Sequence, residues 1–348
     1  MGAMEANAQT NSETFWVEGL LRARDWMPGW LIQAGLRLYL EVDHHVEALR
    51  GVLSTVPASE TAEIAEFSRE LMRVHYDMPE PLFAHMLGPT MKYSMALWDR
   101  GARTLEEAQR DMLADVCDKA GVQDGDTVLD LGCGFGSLAA YVLEKFPRAK
   151  VTGLTLSRTQ AGYIQERQAQ AGHVLNTPRF ELVEGDFNEV DFSARFDRVL
   201  SLGVFEHISN LTAALAKVRR FLRPGGTLFL HYIVYLPARA GETAVRQNSF
   251  IQRNIFPGGR VYAFNELDRH TEDCTLRASW YLPGTNYKRT VAGWLENFLR
   301  ERAAIAREAG LDERTLRLWE LYLRASEANF AAAGGWAFGN GQYLLEGK

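Results

Sequence analysis

The sequence predicts an α/β fold in which a doubly wound parallel sheet follows a helical N-terminal segment. Strand-like and helix-like patterns alternate from residue 126 onwards, which is typical of such a sheet. A short apolar run over 127–131 enters a glycine-rich turn, and a long helical pattern over 290–333 interrupts the last part of the sheet. We expect seven strands, at 127–131, 150–155, 179–183, 197–202, 227–234, 274–282 and 340–346.

Short connections and two insertions are expected between these strands. Residues 224–226, Pro-Gly-Gly, are predicted as the turn into the fifth strand. An insertion over 236–272 precedes the sixth strand, and the helical insertion over 290–333 precedes the seventh. Helices between the first five strands are expected to start near Leu138, Arg158, Ser193 (a short helix) and Leu211.

The chain is predicted to divide into a helical N-terminal cap over 1–110 and a main domain over 111–348. From Phe15 to about Leu53 the cap is helical in pattern and rich in aromatic residues. Its aromatic side chains are interpreted as packing on the core, because charged residues interrupt the apolar pattern. An amphipathic surface for a membrane or a second subunit is the alternative.

Two further helices are expected between this segment and the sheet. The first covers 59–73. The second begins at Thr104, where Thr104 and Glu107 form a capping box, and runs to about Ala120.

Composition argues against several classes of function. A formal net charge of -6 without a long basic run argues against nucleic acid as a partner. No stretch approaches the length of uncharged apolar sequence that a membrane-spanning helix needs, so stable membrane insertion is not expected. Cys117, Cys133 and Cys274 follow neither a disulfide nor a zinc pattern, which predicts a cytoplasmic protein without a metal site.

The glycine-rich turn carries the strongest functional signal. Gly132, Gly134 and Gly136 alternate in the pattern D-x-G-x-G-x-G, and bare backbone at a helix N-terminus suits a carboxylate or phosphate. A dinucleotide site would instead show G-x-G-x-x-G and an acid about 20 residues later, and 151–157 contains no acid. A strand–turn–helix without a ligand is the plain alternative. The pattern is similar to the S-adenosylmethionine (SAM) loop of the seven-stranded methyltransferases.

Polar and aromatic side chains collect where the predicted strands end, and doubly wound sheets bind ligands at that edge. Two other clusters, His75–Asp77 and Lys92–Trp98, lie between helices and do not follow a core periodicity. They are further site candidates or, alternatively, satisfied turn contacts. The residues at the strand ends are Asp130, Thr155, Gln160, Asp186, Phe187, Glu206, His207 and His231.

Several spaced motifs together resemble the cyclopropane-fatty-acid synthase family, which includes coclaurine-type alkaloid N-methyltransferases. The resemblance covers roughly residues 65–300. It implies a Rossmann-like seven-stranded class I methyltransferase sheet with a reversed seventh strand, and SAM as the cofactor. The motifs are His75–Asp77, Lys92–Ser94, Val128–Ser137, Val151–Ser157, Phe205–His207, Phe250-Ile with Ile255–Gly259, and Tyr287–Thr290 with Trp294.

Carried over by position, the resemblance implies roles for individual residues. Glu206, His231 and Tyr287 match the residues that hold a bicarbonate base in the lipid enzymes. Glu206 or His207, which follow the fourth strand, could also act as a general base; for either one, a structural role is the alternative. SAM would be bound by Tyr93 and Ser94 (methionine part), Asp130, Gly132, Gly134 and Gly136 (loop), Thr155 and Gln160 (ribose), and Asp186 and Phe187 (adenine).

Two positions depart from the family pattern. Met95 stands where the lipid enzymes carry a cysteine beside the bicarbonate site. Gly203 stands where the alkaloid enzymes carry an acid, three residues before Glu206. Neither catalytic set is therefore complete.

Three functions compete on these grounds. The first is methylation of nitrogen or carbon in a small acceptor, such as an indole or alkaloid, by a protein that acts alone or as a homodimer. The second is conversion of an acyl-chain alkene to a cyclopropane or methyl branch, and the third is SAM binding without turnover. Glu206, His231 and Tyr287 argue against the third, whereas Met95 and the aromatic residues expected around the methyl position favour the first.

Overall fold

The computed structural model describes residues 19, 21, 27–50, 55–57, 60–244 and 259–348. The expected start of the first helix near Phe15, its end near Leu53 and the motif residues 250–258 lie outside the described residues.

All seven predicted strands are present, each within a few residues of its expected bounds, and three short strands are added. The strands of the described ranges are β1 Thr55–Pro57, β2 Thr127–Leu131, β3 Lys150–Thr155, β4 Phe180–Glu184, β5 Phe196–Leu202, β6 Leu222–Tyr235, β7 Glu242–Ala244, β8 Tyr262–Ala263, β9 Cys274–Pro283 and β10 Phe338–Gly347.

The seven long strands form one sheet in the order β4–β3–β2–β5–β6–β10–β9. The neighbours from β4 to β6 are parallel, as a doubly wound sheet requires. The last strand, β10, is antiparallel to both β6 and β9. The α/β fold with a reversed seventh strand is therefore confirmed.

Within the described residues the sheet has ten strands and not seven, because β8, β7 and β1 extend it beyond the end of β6. Val234 in β6 pairs with Tyr262 in β8, and Thr243 in β7 pairs with the same Tyr262. These strands are two or three residues long and show no alternating pattern.

The helices of the described ranges confirm most of the predicted ones. The capping box is present, since the Glu107 N–H donates to the Thr104 hydroxyl and the Thr104 N–H donates to the Glu107 carboxylate. The helices are α1 Gly29–Arg50, α2 Ser68–Leu71 (which continues as a π-helix over Met72–Tyr76), α3 Glu80–Leu87, α4 Leu105–Ala120, α5 Ser137–Lys145, α6 Arg158–Ala169, α7 Leu211–Phe221, α8 Gly284–Arg300, α9 Arg302–Glu308 and α10 Glu313–Ala331.

Two predicted helices are wrong in part or in whole. Residue 59 of the helix expected over 59–73 lies outside the described residues; from residue 60 on, only the end from Ser68 is helical, because the residues before it bind to loops of the sheet. Asn188 exchanges two hydrogen bonds with the backbone of Ala65, and such tertiary contacts outweigh helix propensity. The short helix expected near Ser193 does not form.

The expected turn at 224–226 lies within β6. The strand begins at Leu222, and Gly225 takes a φ of +76° inside it. The register between β5 and β6 shifts over this stretch, between Phe196 and Arg198 of β5.

Helices cover both faces of the sheet, because successive residues of a strand point to opposite sides. In β2, Val128 packs with α4 and α5, whereas Leu129 packs with α7. A third apolar cluster joins α3, α8 and α10, and it includes Phe135 of the glycine-rich loop. The ring centroids of Phe83 and Phe135 are 5.2 Å apart, so the cap helices sit directly over this loop.

The first helix, α1, packs against α10. Ile32 contacts Leu321, and the Arg37 guanidinium pairs with Glu327. The division of the chain at residue 110 remains a prediction, and that position lies within α4.

Candidate active site at the strand ends

A cleft opens at the carboxyl ends of β2 to β5, at the edge that the sequence predicts. It encloses about 1100 Å³ of empty space, counting the solvent at its mouth. Gly136 is not part of its wall and instead precedes the first residue of α5. The other nine predicted cofactor residues line it: Tyr93, Ser94, Asp130, Gly132, Gly134, Thr155, Gln160, Asp186 and Phe187.

Two glycines shape the floor of the cleft. Gly132 has a φ of +78°, and a β-carbon there would collide with the Val204 side chain. Gly134 has a φ of +57°, and a β-carbon there would meet nothing within 4 Å. The open space beside Gly134 can therefore receive a ligand that lies against the main chain.

Asp130 offers a buried acceptor at this floor. It is 2% exposed, and its Oδ2 atom has no hydrogen-bond partner. Burial raises the pKa of this carboxyl to about 7, and a hydrogen bond from the Ala139 N–H opposes the rise. A buried acceptor without a partner is unusual in a folded protein, so it fits a donor that a ligand supplies.

The walls of the cleft are fastened to the cap. The Ser157 hydroxyl donates to Asp77 at 2.8 Å, and the Ser68 hydroxyl donates to Asp186 at 2.7 Å. Thr155 and Gln160 bond to each other, the threonine hydroxyl donating to the amide oxygen at 2.7 Å. These bonds hold the ends of β3 and β4 in fixed positions around the cleft.

Tyr93 forms part of an aromatic cluster under the cap. Its hydroxyl lies 2.9 Å from His75 Nε2 and 3.4 Å from the Tyr322 hydroxyl. Trp319 stacks on the His75 ring with centroids 5.2 Å apart. Burial and the nearby His207 lower the pKa of His75 to about 3, so this imidazole is neutral.

Glu206 and His207 lie on the short 3-10 turn Phe205–His207 that follows β5. His207 lines the cleft, and its Nε2 lies 3.2 Å from the Tyr76 hydroxyl. Burial lowers the pKa of His207 to about 4, which leaves this imidazole neutral at pH 7.

Glu206 lies directly behind Gly203, which itself lines the cleft with a φ of +73°. A β-carbon on Gly203 would stand 3.9 Å from Glu206 Oε1, so the missing side chain keeps the carboxyl near the cleft. Glu206 Oε2 is buried without a partner. Burial raises the pKa of Glu206 to about 7, and hydrogen bonds from its own N–H and from Ile233 oppose the rise.

His231 and Tyr287 do not form the cleft wall. His231 is fully buried on β6, with Nε2 3.1 Å from Asn340 Nδ2 and with Nδ1 unpartnered. Burial, with the cations of Lys92 and Lys119, lowers the pKa of His231 well below its usual value. Tyr287 stacks on Phe330, and burial together with Tyr322 and Glu206 raises its pKa.

The sequence did not identify every residue of the site. Tyr76 and Lys92 belong to the two clusters noted between helices, yet only the structure places them in the cleft wall. Tyr322 and Trp319 come from α10, far along the chain, and nothing in their pattern pointed to the site. Met95 is fully buried in the core and is not part of the cleft wall.

Within the described ranges, no three His, Cys, Asp or Glu side chains are grouped in a way that could hold a metal ion. No helix of these ranges has the length and apolar character needed to cross a membrane.

Comparison with known proteins gives relatives of two kinds. The cyclopropane-fatty-acyl-phospholipid synthase of Escherichia coli K12 is 32% identical over 260 residues, which are 74% of this chain and 63% of that protein. The (S)-tetrahydroprotoberberine N-methyltransferase of Eschscholzia californica is 29% identical over 67% of this chain and 66% of that protein. The chain thus spans less than two thirds of the length of either relative.

Solved structures show the same fold. A coclaurine N-methyltransferase bound to N-methylheliamine and SAH superposes with a TM-score of 0.76 at 22% identity, over 97% of this chain and 99% of that one. A cyclopropane synthase of Mycobacterium tuberculosis superposes with a TM-score of 0.69 at 28% identity, over 82% and 100% of the two chains. The family model for mycolic acid cyclopropane synthetase matches residues 65–334. The chain therefore belongs to the mycolic acid cyclopropane synthetase family.

Proposed function

We propose that this protein is a SAM-dependent methyltransferase that acts on nitrogen or carbon of a small, partly aromatic acceptor. The main support for this proposal is one cleft whose floor and wall offer two different kinds of surface. Its floor has the open backbone of Gly134 and the unpartnered Oδ2 atom of Asp130, and its wall has the Tyr76–His207 pair. A binding surface and a hydrogen-bonded polar pair thus lie in one space.

The floor of the cleft fits SAM. Space beside Gly134 admits a ligand, and Asp130 lacks a donor that an amino group would supply. In this proposal Tyr93 and Ser94 contact the methionine part, Thr155 and Gln160 the ribose, and Asp186 and Phe187 the adenine. SAM supplies an electrophilic methyl group on a sulfonium cation.

The residues of this chain then have to orient the acceptor and remove its proton. Aromatic faces favour a cation nearby, and Tyr76 and Tyr93 both line the cleft. Neutral His207 can orient the acceptor through a hydrogen bond, and Glu206 with a pKa of about 7 is ionised in part of the molecules at neutral pH and can then take a proton. A positioned base contributes about 10²–10⁴-fold to a rate.

One observation favours a second candidate, the modification of an unsaturated acyl chain. Glu206 Oε2 and His231 Nδ1 are both buried without partners. By the family resemblance, Glu206 and His231 match residues that hold bicarbonate in the lipid enzymes. Met95, fully buried in the apolar core, replaces the cysteine of that site. This replacement is the reason to place the small acceptor first.

The two candidates are separated by parallel incubations with methyl-labelled SAM. One contains vesicles with unsaturated phospholipids, and the other contains tryptamines, cyclic dipeptides and benzylisoquinolines. Mass spectrometry should find label in at least one small molecule. Label found in the lipid chains alone would overturn the choice of acceptor, and label found in neither set would argue against turnover.

The proposed function also leads to expectations about the location and the binding partners of this protein. We expect a cytoplasmic protein that works without nucleic acid. A homodimer is the assembly to test, because α1 exposes Trp30, Leu38 and Tyr39, which are 70%, 67% and 60% exposed. Sedimentation velocity on wild type and Leu38→Glu would show whether this face joins two copies.

A further inference from the structure

Lys92 is a buried cation in the wall of the cleft. The residue is 2% exposed. Its ammonium group donates to the Ser94 hydroxyl at 2.7 Å and to the Met95 carbonyl at 2.6 Å. Burial alone lowers the pKa of Lys92 to about 7, and no carboxylate of the described residues offsets that effect.

The position of this ammonium is fixed by its surroundings. Gln109, fully buried, donates through Nε2 to the Lys92 carbonyl at 3.3 Å and to the Leu87 carbonyl at 3.2 Å. Met91, the residue before it, has a φ of +51°, which is uncommon for a residue with a side chain. The segment is therefore held in place, and the ammonium cannot reach solvent without breaking these contacts.

A buried charge is costly unless an opposite charge or several hydrogen bonds compensate it. An ammonium has three donors, and two of those of Lys92 are used inside the protein. One donor of this ammonium therefore has no partner among the described residues, and Lys92 lines the cleft that a ligand would enter.

The same cleft holds the complementary group. Asp130 is buried with an unpartnered oxygen, and it shares no ion pair or hydrogen bond with Lys92. Two buried groups of opposite charge that line one cleft and do not pair with each other suit a ligand that carries both charges. An α-amino acid has an ammonium for the carboxylate and a carboxylate for the ammonium.

We propose that Lys92 is a positioning residue that pairs with the α-carboxylate of SAM and selects ligands that carry this group. The inference rests on the proposed function, because it assumes that SAM enters this cleft. Ser94 connects Lys92 with the SAM site. Its hydroxyl accepts a hydrogen bond from the Lys92 ammonium, and Ser94 is proposed to contact the methionine part of SAM.

The test compares two ligands that differ only in this carboxylate. Calorimetry should measure the Kd of SAM and of decarboxylated SAM for wild type and for Lys92→Met. Because Lys92→Met loses a charge-assisted hydrogen bond to the carboxylate, its Kd for SAM should rise at least ~10-fold over that of wild type. Its Kd for decarboxylated SAM should stay within about 3-fold of the wild-type value. Equal losses for both ligands, or no loss for either, would overturn the proposal.

A matched control removes a second buried lysine. Lys217 is 6% exposed, donates to the Asn188 carbonyl at 2.9 Å and is not part of the cleft wall. Lys217→Met should affect the two ligands equally. If wild type binds neither ligand, the proposed function fails; if it binds both and Lys92→Met changes nothing, only the role of Lys92 fails.

Proton uptake gives a readout that needs no stable variant. Pairing with a carboxylate raises the pKa of Lys92 above its ligand-free value of about 7, so SAM should bind with net uptake of a proton near pH 8. The ratio of the affinity for SAM to the affinity for decarboxylated SAM should fall as the pH rises above 7. A ratio of affinities that stays constant from pH 7 to 9 would contradict the proposal.

Other titrating groups have to be separated from this signal. His231 on β6 is close enough for its pKa to be lowered by Lys92, and Lys119 on α4 acts on the same imidazole. Asp130 and Glu206 also have pKa values of about 7. The uptake assigned to Lys92 is therefore the difference between the uptake measured on wild type with SAM and that measured with decarboxylated SAM. If Lys92 served a bound bicarbonate instead, SAM affinity would be unchanged in the variant, which refutes the pairing.

Discussion

Replacement of Glu206 by glutamine should make the protein more stable and less active at the same time. Burial raises the pKa of Glu206 from 4.5 to about 7. In the unfolded chain the carboxyl therefore ionises at lower pH than in the folded protein. Stability is lost as the pH rises from 4.5 to about 7, because ionisation is penalised only in the folded state.

The size of this effect follows from the two pKa values. A rise from 4.5 to about 7 corresponds to about 3 kcal/mol, the full cost of holding the ionised group buried. Glutamine has nearly the same volume and never ionises. The free energy of unfolding of E206Q should thus exceed that of wild type by about 3 kcal/mol at pH 8 and by roughly half of that at pH 5.5.

Urea denaturation at the two pH values measures both free energies of unfolding. The control is Glu181→Gln, which changes an exposed glutamate of β4 and should alter neither value. An E206Q protein that is less stable than wild type at pH 8, or whose advantage is independent of pH, would refute this reasoning.

Activity should move in the opposite direction. If Glu206 removes a proton or holds the acceptor, E206Q should lose at least ~100-fold in turnover, with SAM affinity little changed. Turnover of wild type should rise with pH through about 7, where the carboxyl ionises, and this limb should be absent in E206Q. Equal rates for the two proteins would remove Glu206 from the mechanism.

Three further predictions concern other parts of the site and fold. Gly134→Val should abolish SAM binding in a folded protein, because the side chain fills the open space beside a φ of +57°; unchanged affinity by calorimetry would contradict the SAM loop. Tyr76→Phe removes the hydroxyl 3.2 Å from His207 and should lower turnover about 10-fold with unchanged SAM affinity; an unchanged rate would show that the hydrogen bond is dispensable. Thr104→Ala removes the cap of α4 and should cost about 1 kcal/mol in urea denaturation, whereas no loss would mean that the cap is redundant.

The main strands could be predicted because each buried parallel strand is a short apolar run that ends in glycine or polar residues. Val128, Leu129 and Leu131 show this pattern, and the parallel topology follows from the helices between the runs. The segment over 59–73 was mispredicted because its helical pattern competes with contacts to Asn188 and Ser209, which lie far along the chain. Strands as short as β8 carry no pattern at all.

The candidate site was predictable where the topology determines it. Residues that follow parallel strands must meet at one edge, so Asp130 and Asp186 were expected near each other. The residues that α10 contributes could not be predicted, because Tyr322 reaches Tyr93 only through the packing of the helical insertion on the cap. The pattern also could not show that Glu206 lies behind Gly203, since that depends on the turn after β5.

The most direct test of the central claim is a crystal structure of the protein with SAH, the product that remains after methyl transfer. We expect SAH to lie along Gly132 and Gly134, with the homocysteine end beside Tyr93 and Ser94 and the sulfur facing the side of the cleft that holds His207. SAH bound away from this cleft, or bound with its adenine at the Tyr93 end, would contradict the proposed SAM site.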